Sequence, residues 1–477
     1  MRLNEISVDV LLYILTLVPL EDAISLILVS REFQSLSRER SFWIYLLDTA
    51  RKSRPLPCPD DEDISTYDLP DLKRLVFHTI RRDRNWSRPV PDIRGPIDTL
   101  ALGPGHSLIL SISGTSLLLI HSQQDGVVTC WNVNSGVALG SVYIGRSVFH
   151  TSLGCGQKKS RSIALLVAEE LTADYTSGTP LLVVLTIQHT ASVEAVIAVS
   201  FRRSLGTGLT FGQLFINAHL VGLLRVFDME PLDIVAFNRE SGACRVIHTD
   251  TLYDSQMGAF LDHALYIVKD RSEMSSNVHM CPENLLPYSD THDGDIHMAD
   301  TLHWADHGAR FWDGVDATFT GFETWFEALG AVTARPVRGV ALATLHHINV
   351  NEELSPRAIN IRFWSFTEGT DGDVTPSRRL APAHTLNIRG ELATSVSLQR
   401  YLIAYSGVNV LLVVNYRGKR SLRLVQYGPS SSSSTIHLLE MPSSIDLTAV
   451  TGIALDDHRG SVVLIAQDGA LYSVAYA

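Results

Sequence analysis

Ile6-Ser7-Val8-Asp9-Val10-Leu11-Leu12-Tyr13-Ile14-Leu15 opens a run that continues through Val18-Pro19-Leu20, Glu21-Asp22, Leu26, Val29-Ser30-Arg31 and Phe33, and closes on Ser41-Phe42-Trp43. Its spacing predicts three short helices. Val10, Leu11, Ile14, Leu15 and Val18 recur at the offsets of a helix that buries one broad stripe. Ser7 stands where a helix cap belongs, and Asp9 falls in the first turn, where the helix dipole favours a carboxylate. Pro19 ends that helix and serves the start of the next, whose first turn carries Glu21 and Asp22. Val29, Phe33 and Leu36 mark a third. A module this small buries too little surface to be comfortable alone, so part of its apolar face needs a partner.

The order of these residues resembles the F-box family. Its pattern runs Leu-Pro-x-Glu, a hydrophobic helix, Leu-Pro, an acidic-hydrophobic helix, Val-Cys-Lys/Arg with an aromatic, and a later Trp. Here Ile6-Ser7-Val8-Asp9, Val18-Pro19, Asp22-Ala23, Val29-Ser30-Arg31, Phe33 and Phe42-Trp43 occupy those places. Ser7 replaces the usual Pro and Ala23 a common Leu. The resemblance covers residues 1–48 and implies a Skp-type adaptor as partner. It further implies that Ile6, Val10, Leu12, Ile14, Leu15, Pro19, Leu20, Val29 and Phe33 provide the adaptor-binding surface.

The rest of the chain is different in kind. At 477 residues it exceeds one ordinary domain, and it is 45% hydrophobic but only 19% charged, which is globular and lean in charge. A net charge of −12 repels nucleic acid and anionic membrane. Five scattered cysteines without a C-x-x-C pair suit a reducing compartment rather than a disulfide framework. The apolar run from Leu11 to Leu20 lacks a basic flank, so it does not read as a signal peptide, and no later run has the length of a membrane span. The expectation is an intracellular protein, cytoplasmic or nuclear.

Residues 49–89 read as a linker with a docking helix. Ser53 to Asp63, with Pro55, Pro57, Pro59 and four successive acids, reads as an exposed connector. Asp68-Leu69-Pro70-Asp71 then starts a helix with the apolar stripe Leu72, Leu75, Val76 and Ile80. Arg81, Arg82, Arg84 and Arg88 around Trp86 have the makings of a nucleic-acid patch. With the overall charge opposed to phosphate, the preferred reading is a helix end whose Trp86 packs on the next domain.

From residue 90 to 477 β signals take over. Ser107–Ile112, Ser116–His121, Val127–Val133 and Ala138–Ile144 are short apolar runs separated by turn residues. Asp125-Gly126-Val127-Val128-Thr129-Cys130-Trp131-Asn132-Val133 with Ser135-Gly136 resembles the third strand and turn of a WD-type propeller blade, Asn132 replacing Asp. Echoes occur at Gly222–Asp228, Ile361–Ser365 and Asp456–Tyr472. Such groups, at roughly fifty residues each, make about seven blades of an all-β propeller. A pair of large β-sandwiches is the competing fold, and it accounts less naturally for Trp131 and Trp364 in matching strand contexts.

Two insertions are expected, at 269–335 and 428–435. The first collects His279, Cys281, His292, His297, His303 and His307 with Asp290, Asp293, Asp295, Asp300 and Asp306. These are metal-ligating types, but without the tight spacing of a metalloprotease, and the reading is no metal and no cofactor. Its aromatic residues, from Phe311 to Phe326, read as loop packing on the propeller. The ring is expected to close by pairing Val90–Arg94 with the C-terminal run, because residues after Val474 are too few for an outer strand.

No motif supports catalysis. There is no G-x-S-x-G, no H-E-x-x-H, and Gly418-Lys419 has Val413 where a phosphate loop needs Gly. The F-box resemblance therefore implies a non-catalytic substrate receptor of an SCF-type cullin–RING ubiquitin ligase. A scaffold without ubiquitin transfer and a propeller enzyme are the alternatives.

Overall fold

The computed structural model describes residues 8–29, 31–59, 62–153, 160–171, 179–189, 195–206, 210–226, 231–252, 256–261, 264–270, 276–281, 283–290, 300–303, 310–312, 324–326, 342–348, 358–368, 378–388, 396–404, 406–416, 419–428 and 433–477. Five α-helices come first: α1 (Val8–Thr16), α2 (Leu20–Val29), α3 (Arg31–Leu36), α4 (Arg40–Arg51) and α5 (Leu69–Trp86). They share one core. Leu15, Leu20, Ala23, Ile24 and Ile27 meet Phe42, Trp43, Leu46 and Leu47 of α4, and Leu72, Leu75, Val76 and Ile80 of α5. The last four are the stripe read from the sequence, and Asp68 caps their helix, its Oδ1 accepting from the Asp71 amide at 2.8 Å. So α5 is built into the helical module as much as it leads out of it.

The connector before α5 differs from expectation. Leu56 and Cys58 are buried in that same core, and Arg51 reaches back to the carbonyl of Glu62 at 3.1 Å. Its prolines stiffen a packed crossing rather than an exposed one.

Among the described residues the strands form seven antiparallel sheets of four, apart from one fifth strand that joins in parallel. They follow one another along the chain at 106–143, 147–204, 210–252, 256–312, 324–388, 396–439 and 450–475. Serial four-stranded antiparallel sheets, each burying a Val/Leu/Ile face on the next, are the architecture of a β-propeller. The four runs read between Ser107 and Ile144 are the strands of the first sheet, and Trp131 and Trp364 both lie on the third strand of their sheets. Asn132 does what the turn position requires, its Oδ1 accepting from the amides of Asn134 and Ser135 at 3.0 and 3.3 Å.

Three expectations are corrected here. Closure is made by Asp98–Ala101, which pairs antiparallel with Ala470–Ser473, not by Val90–Arg94. Of the earlier segment, the Arg94 amide alone bonds that run, to the Ala475 carbonyl at 2.7 Å. The reason is chemical: Pro89, Pro91 and Pro96 have no amide to give, and the Asp92 amide is taken by Asn85 Oδ1 at 3.0 Å. Second, the stretch 269–335 is not wholly an insertion. Ser276–Cys281, Asp300–His303, Arg310–Trp312 and Thr324–Phe326 are sheet strands within it. Third, at 428–435, Ser433 and Ser434 already belong to strand Ser433–Leu439, paired with Lys419–Gly428. Residues 429–432 lie outside the described residues.

Candidate functional site

Helix α1 has two apolar sides. Leu15 is 2% exposed and faces the core, whereas Val10, Tyr13, Ile14 and Leu17 are 48%, 63%, 40% and 72% exposed. These four recur at offsets of three, four and seven, so they form one stripe along the helix. At the end of α2, Leu28 and Val29 are 81% and 76% exposed. Solvent-facing apolar side chains on two successive helices of so small a module make this the candidate surface for a protein partner.

The candidate residues divide accordingly. Val10, Ile14, Pro19 and Val29 are exposed, Phe33 is half-buried against the core, and Leu15 and Leu20 are core residues. Ile6 and Ser7 lie outside the described residues, as does the side chain of Leu12. Tyr13, Leu17 and Leu28 were missed; the offsets of Tyr13 and Leu17 from Val10 place them on one stripe with it, whereas Leu28 follows the buried Ile24 by four and no spacing signal marks it as exposed.

The second element is the junction between helices and ring, and α5 makes it. Trp86 is fully buried among Leu411, Val413, Leu422, Leu464 and Tyr476. Arg82, 1% exposed, donates through Nη1 to the carbonyls of Asp457 and His458 at 3.0 and 2.9 Å, and through Nη2 to Asp83 Oδ1 at 2.6 Å. Asn85 Nδ2 donates to the Tyr476 carbonyl at 2.6 Å, and His78 Nε2 lies 2.9 Å from the Arg459 carbonyl. On the other side of α5, Arg54 bridges Glu21 of α2 and Asp83 at 2.7 and 2.8 Å. Two turns accommodate this close approach. A side chain at Gly114 would meet the Cys58 carbonyl carbon at 2.4 Å, and one at Gly460 would meet Arg82 Cγ at 2.7 Å, both at positive φ. Of the arginines read as a possible nucleic-acid patch, Arg82 is buried at the junction and Arg88 pairs with Asp92, while Arg81 and Arg84 are exposed.

His78 makes the junction acid-sensitive. Burial pushes its pKa down to about 4, against the opposing Arg459 carbonyl contact, and Arg82, Arg81 and Arg459 add repulsion. A group depressed from its unfolded value of 6.5 contributes stability that is fully present above that pH and drains between there and about 4. Between those limits the chain is expected to lose melting temperature more steeply than a His78→Gln variant, which cannot take up a proton. Parallel curves for the two would refute this.

The turn that Arg82 grips holds a buried acidic group. Asp457 Oδ2 accepts from Asn409 Nδ2 at 2.9 Å and from Ser406 Oγ, and Asp457 Oδ1 lies 3.1 Å from His458 Nδ1. Burial raises the Asp457 pKa, but the His458, Ser406 and Asn409 contacts outweigh it and hold the carboxyl below its ordinary range. For Asp456 burial prevails and the pKa is raised.

Among the described residues, the histidines and acids singled out between 269 and 335 are not brought together as a set. His279 and Cys281 lie on one strand, Asp300 and His303 on another in a different sheet, and Asp290 pairs with Arg245 at 2.5 Å. Burial pushes the Cys281 thiol up to about 12, which disfavours a thiolate ligand. His292, His297, His307, Asp293, Asp295 and Asp306 lie outside the described residues. Among the described residues, no helix is long and apolar enough to cross a membrane.

Comparison with known proteins agrees with the helical reading. Residues 3–45 match the F-box domain family. The chain carries an F-box domain followed by a β-propeller. No curated protein matches it. Among solved structures it is similar to the WD40 domain of SCAP from fission yeast, at 11% identity and a TM-score of 0.38 over 78% of this chain and 84% of that one. It is also similar to the Cps50 (Swd1) β-propeller domain of Myceliophteria thermophila, at 10% identity and a TM-score of 0.43 over 80% and 99%. An oligogalacturonate lyase in complex with manganese is similar at 9% identity and a TM-score of 0.42, over 80% and 90%. Likenesses this distant carry no argument about function.

Proposed function

We propose that this chain is the substrate-receptor subunit of an SCF-type cullin–RING ubiquitin ligase. In this reading the F-box binds a Skp-type adaptor and the propeller binds a protein target. The observation that carries it is the F-box match at residues 3–45 together with the exposed stripe of Val10, Tyr13, Ile14 and Leu17 beside Leu28 and Val29. Ile6, Leu12, Pro19 and Phe33 belong to the same proposed surface, while Leu15 and Leu20 support it from beneath. The chain itself performs no chemistry. It raises the effective concentration of a target lysine near a charged conjugating enzyme, which requires holding the two ends at a defined separation. The strut formed by α5 serves that purpose. It touches the turn at 456–460, and the connector before it meets the turn at 112–116 through Cys58; both turns join first to second strands. Alternate connections of an antiparallel sheet fall at opposite ends, so the rim carrying the turns at 122–127 and 466–470 faces away and is the proposed target side.

Leu17→Asp and Leu28→Asp each place a charge on the exposed surface, so the fold is expected to persist while co-purification with a Skp-type adaptor is lost. Adaptor binding retained by both folded variants would reject the proposal. Turnover of a captured target that persists when cullin is inhibited would instead identify a scaffold without ubiquitin transfer.

A further inference from the structure

We propose that Asp456, Asp457 and His458 form a divalent-cation site, suited to zinc or manganese, that fixes the turn on which the α5 strut rests. One ligand atom from each of the three lies within 4.8 Å of the others. All three residues are at most 1% exposed. Asp457 Oδ1 and His458 Nδ1 are hydrogen-bonded at 3.1 Å, a separation that two ligands of one ion also have, so an ion would take the place of the shared proton. Two donors each about 2.1 Å from one ion, at angles near 90–109°, stand about 3.0–3.4 Å apart.

A second observation points independently to a ligand. Asp456 Oδ1 accepts from the amides of Gly114, His458 and Arg459, each at 3.2 Å, but Asp456 Oδ2 is buried with no hydrogen-bond partner. A buried carboxylate oxygen left without a donor is costly, and an ion is one of the few things that removes the cost. The neighbouring guanidinium groups are committed elsewhere. Arg82 holds two carbonyls and Asp83, and Arg459 donates to the Thr115 carbonyl and Asn134 Oδ1 at 3.0 and 3.1 Å. Two carboxylates with one neutral imidazole carry two negative charges, which a divalent cation neutralises. Nitrogen and oxygen donors together suit zinc or manganese better than calcium. A site this deep would be loaded as the chain folds, so the ion would contribute to folding itself.

The position explains why such a site matters. Asp457 also binds Ser406 and Asn409 in the preceding sheet, Asp456 binds Gly114 in the following one, and Arg82 grips the turn from α5. An ion there would fasten both neighbouring sheets and the helical module at a single point.

The test uses the full chain, unfolded in chelator and refolded with zinc, with manganese or with neither, and Asp456→Asn treated alike. Asn keeps the Oδ1 acceptor and the side-chain volume but removes the charge. About one bound ion per chain is expected in the native protein, with a higher melting temperature after refolding with one of the two metals and no such gain for Asp456→Asn. If the variant does not fold, the metal content and refolding response of the native chain decide alone. A native chain that binds neither ion and gains no stability from them would overturn the proposal. In that case Asp456 carries a proton instead.

Discussion

Arg82→Ala is expected to cost about 3–5 kcal/mol and to let the helical module swing away from the ring, because it removes a buried guanidinium whose charge-assisted hydrogen bonds join the two. The side chain is 1% exposed and serves three acceptors: the carbonyls of Asp457 and His458, and the Asp83 carboxylate. Removing it leaves two buried carbonyls unserved and Asp83 with Arg54 as its remaining partner at the junction. Arg82→Lys is expected to recover little, since an ammonium cannot span carbonyls and carboxylate with one planar fork. Urea unfolding gives the energetic cost, and small-angle scattering of the folded variant reports the spread between F-box and ring. A variant as compact and as stable as the parent would show that Trp86 and Asn85 suffice and that Arg82 is incidental.

The second large effect concerns closure of the ring. Replacing Asp98 and Leu100 together by Pro in the full chain removes two amides that face Ala470–Ser473, in the register that the Leu102 amide continues to the Gly469 carbonyl. It also withdraws Leu100 from its packing beside Leu118, Trp131 and Leu471. At roughly 1 kcal/mol for each ladder bond lost, with the apolar contact added, the cost is on the order of 3 kcal/mol. The outer edge of the last sheet would then be open, so amides of Ala470–Ala475 should exchange far faster than in the parent. Arg94→Pro is the comparison. It removes the single bond to the Ala475 carbonyl and should change stability little. Equal effects of the two changes would mean that closure does not depend on the Asp98–Ala101 pairing.

Much of this was readable along the chain because the signals are local. The α5 stripe of Leu72, Leu75, Val76 and Ile80, its Asp68 cap, and the strand-turn periodicity between Ser107 and Ile144 each depend on residues within a few positions of one another. The closing strand was misplaced because Val90–Arg94 and Asp98–Ala101 are both short extended segments. What separates them is the engagement of the Asp92 amide by Asn85, a contact made across a helix end. The connector containing Leu56 and Cys58 looked exposed because prolines and acids dominate it; its burial depends on Gly114, more than fifty positions away.

By itself the sequence determined the class of each region: an F-box order of residues at the start, a helix leading out of it, and repeated β segments to the end. Periodicity and capping act through nearest neighbours, so those properties survive without any knowledge of the partner surface. Only the tertiary structure decided which side of α1 faces water and which faces the core, since Leu15 and Leu17 are equally apolar and differ only in what α4 covers. It also decided that Arg82, an ordinary surface residue by composition, is the buried link between module and ring. And it brought Asp456, Asp457 and His458 out of a turn and into the interior, where charges that cost little in water require a partner.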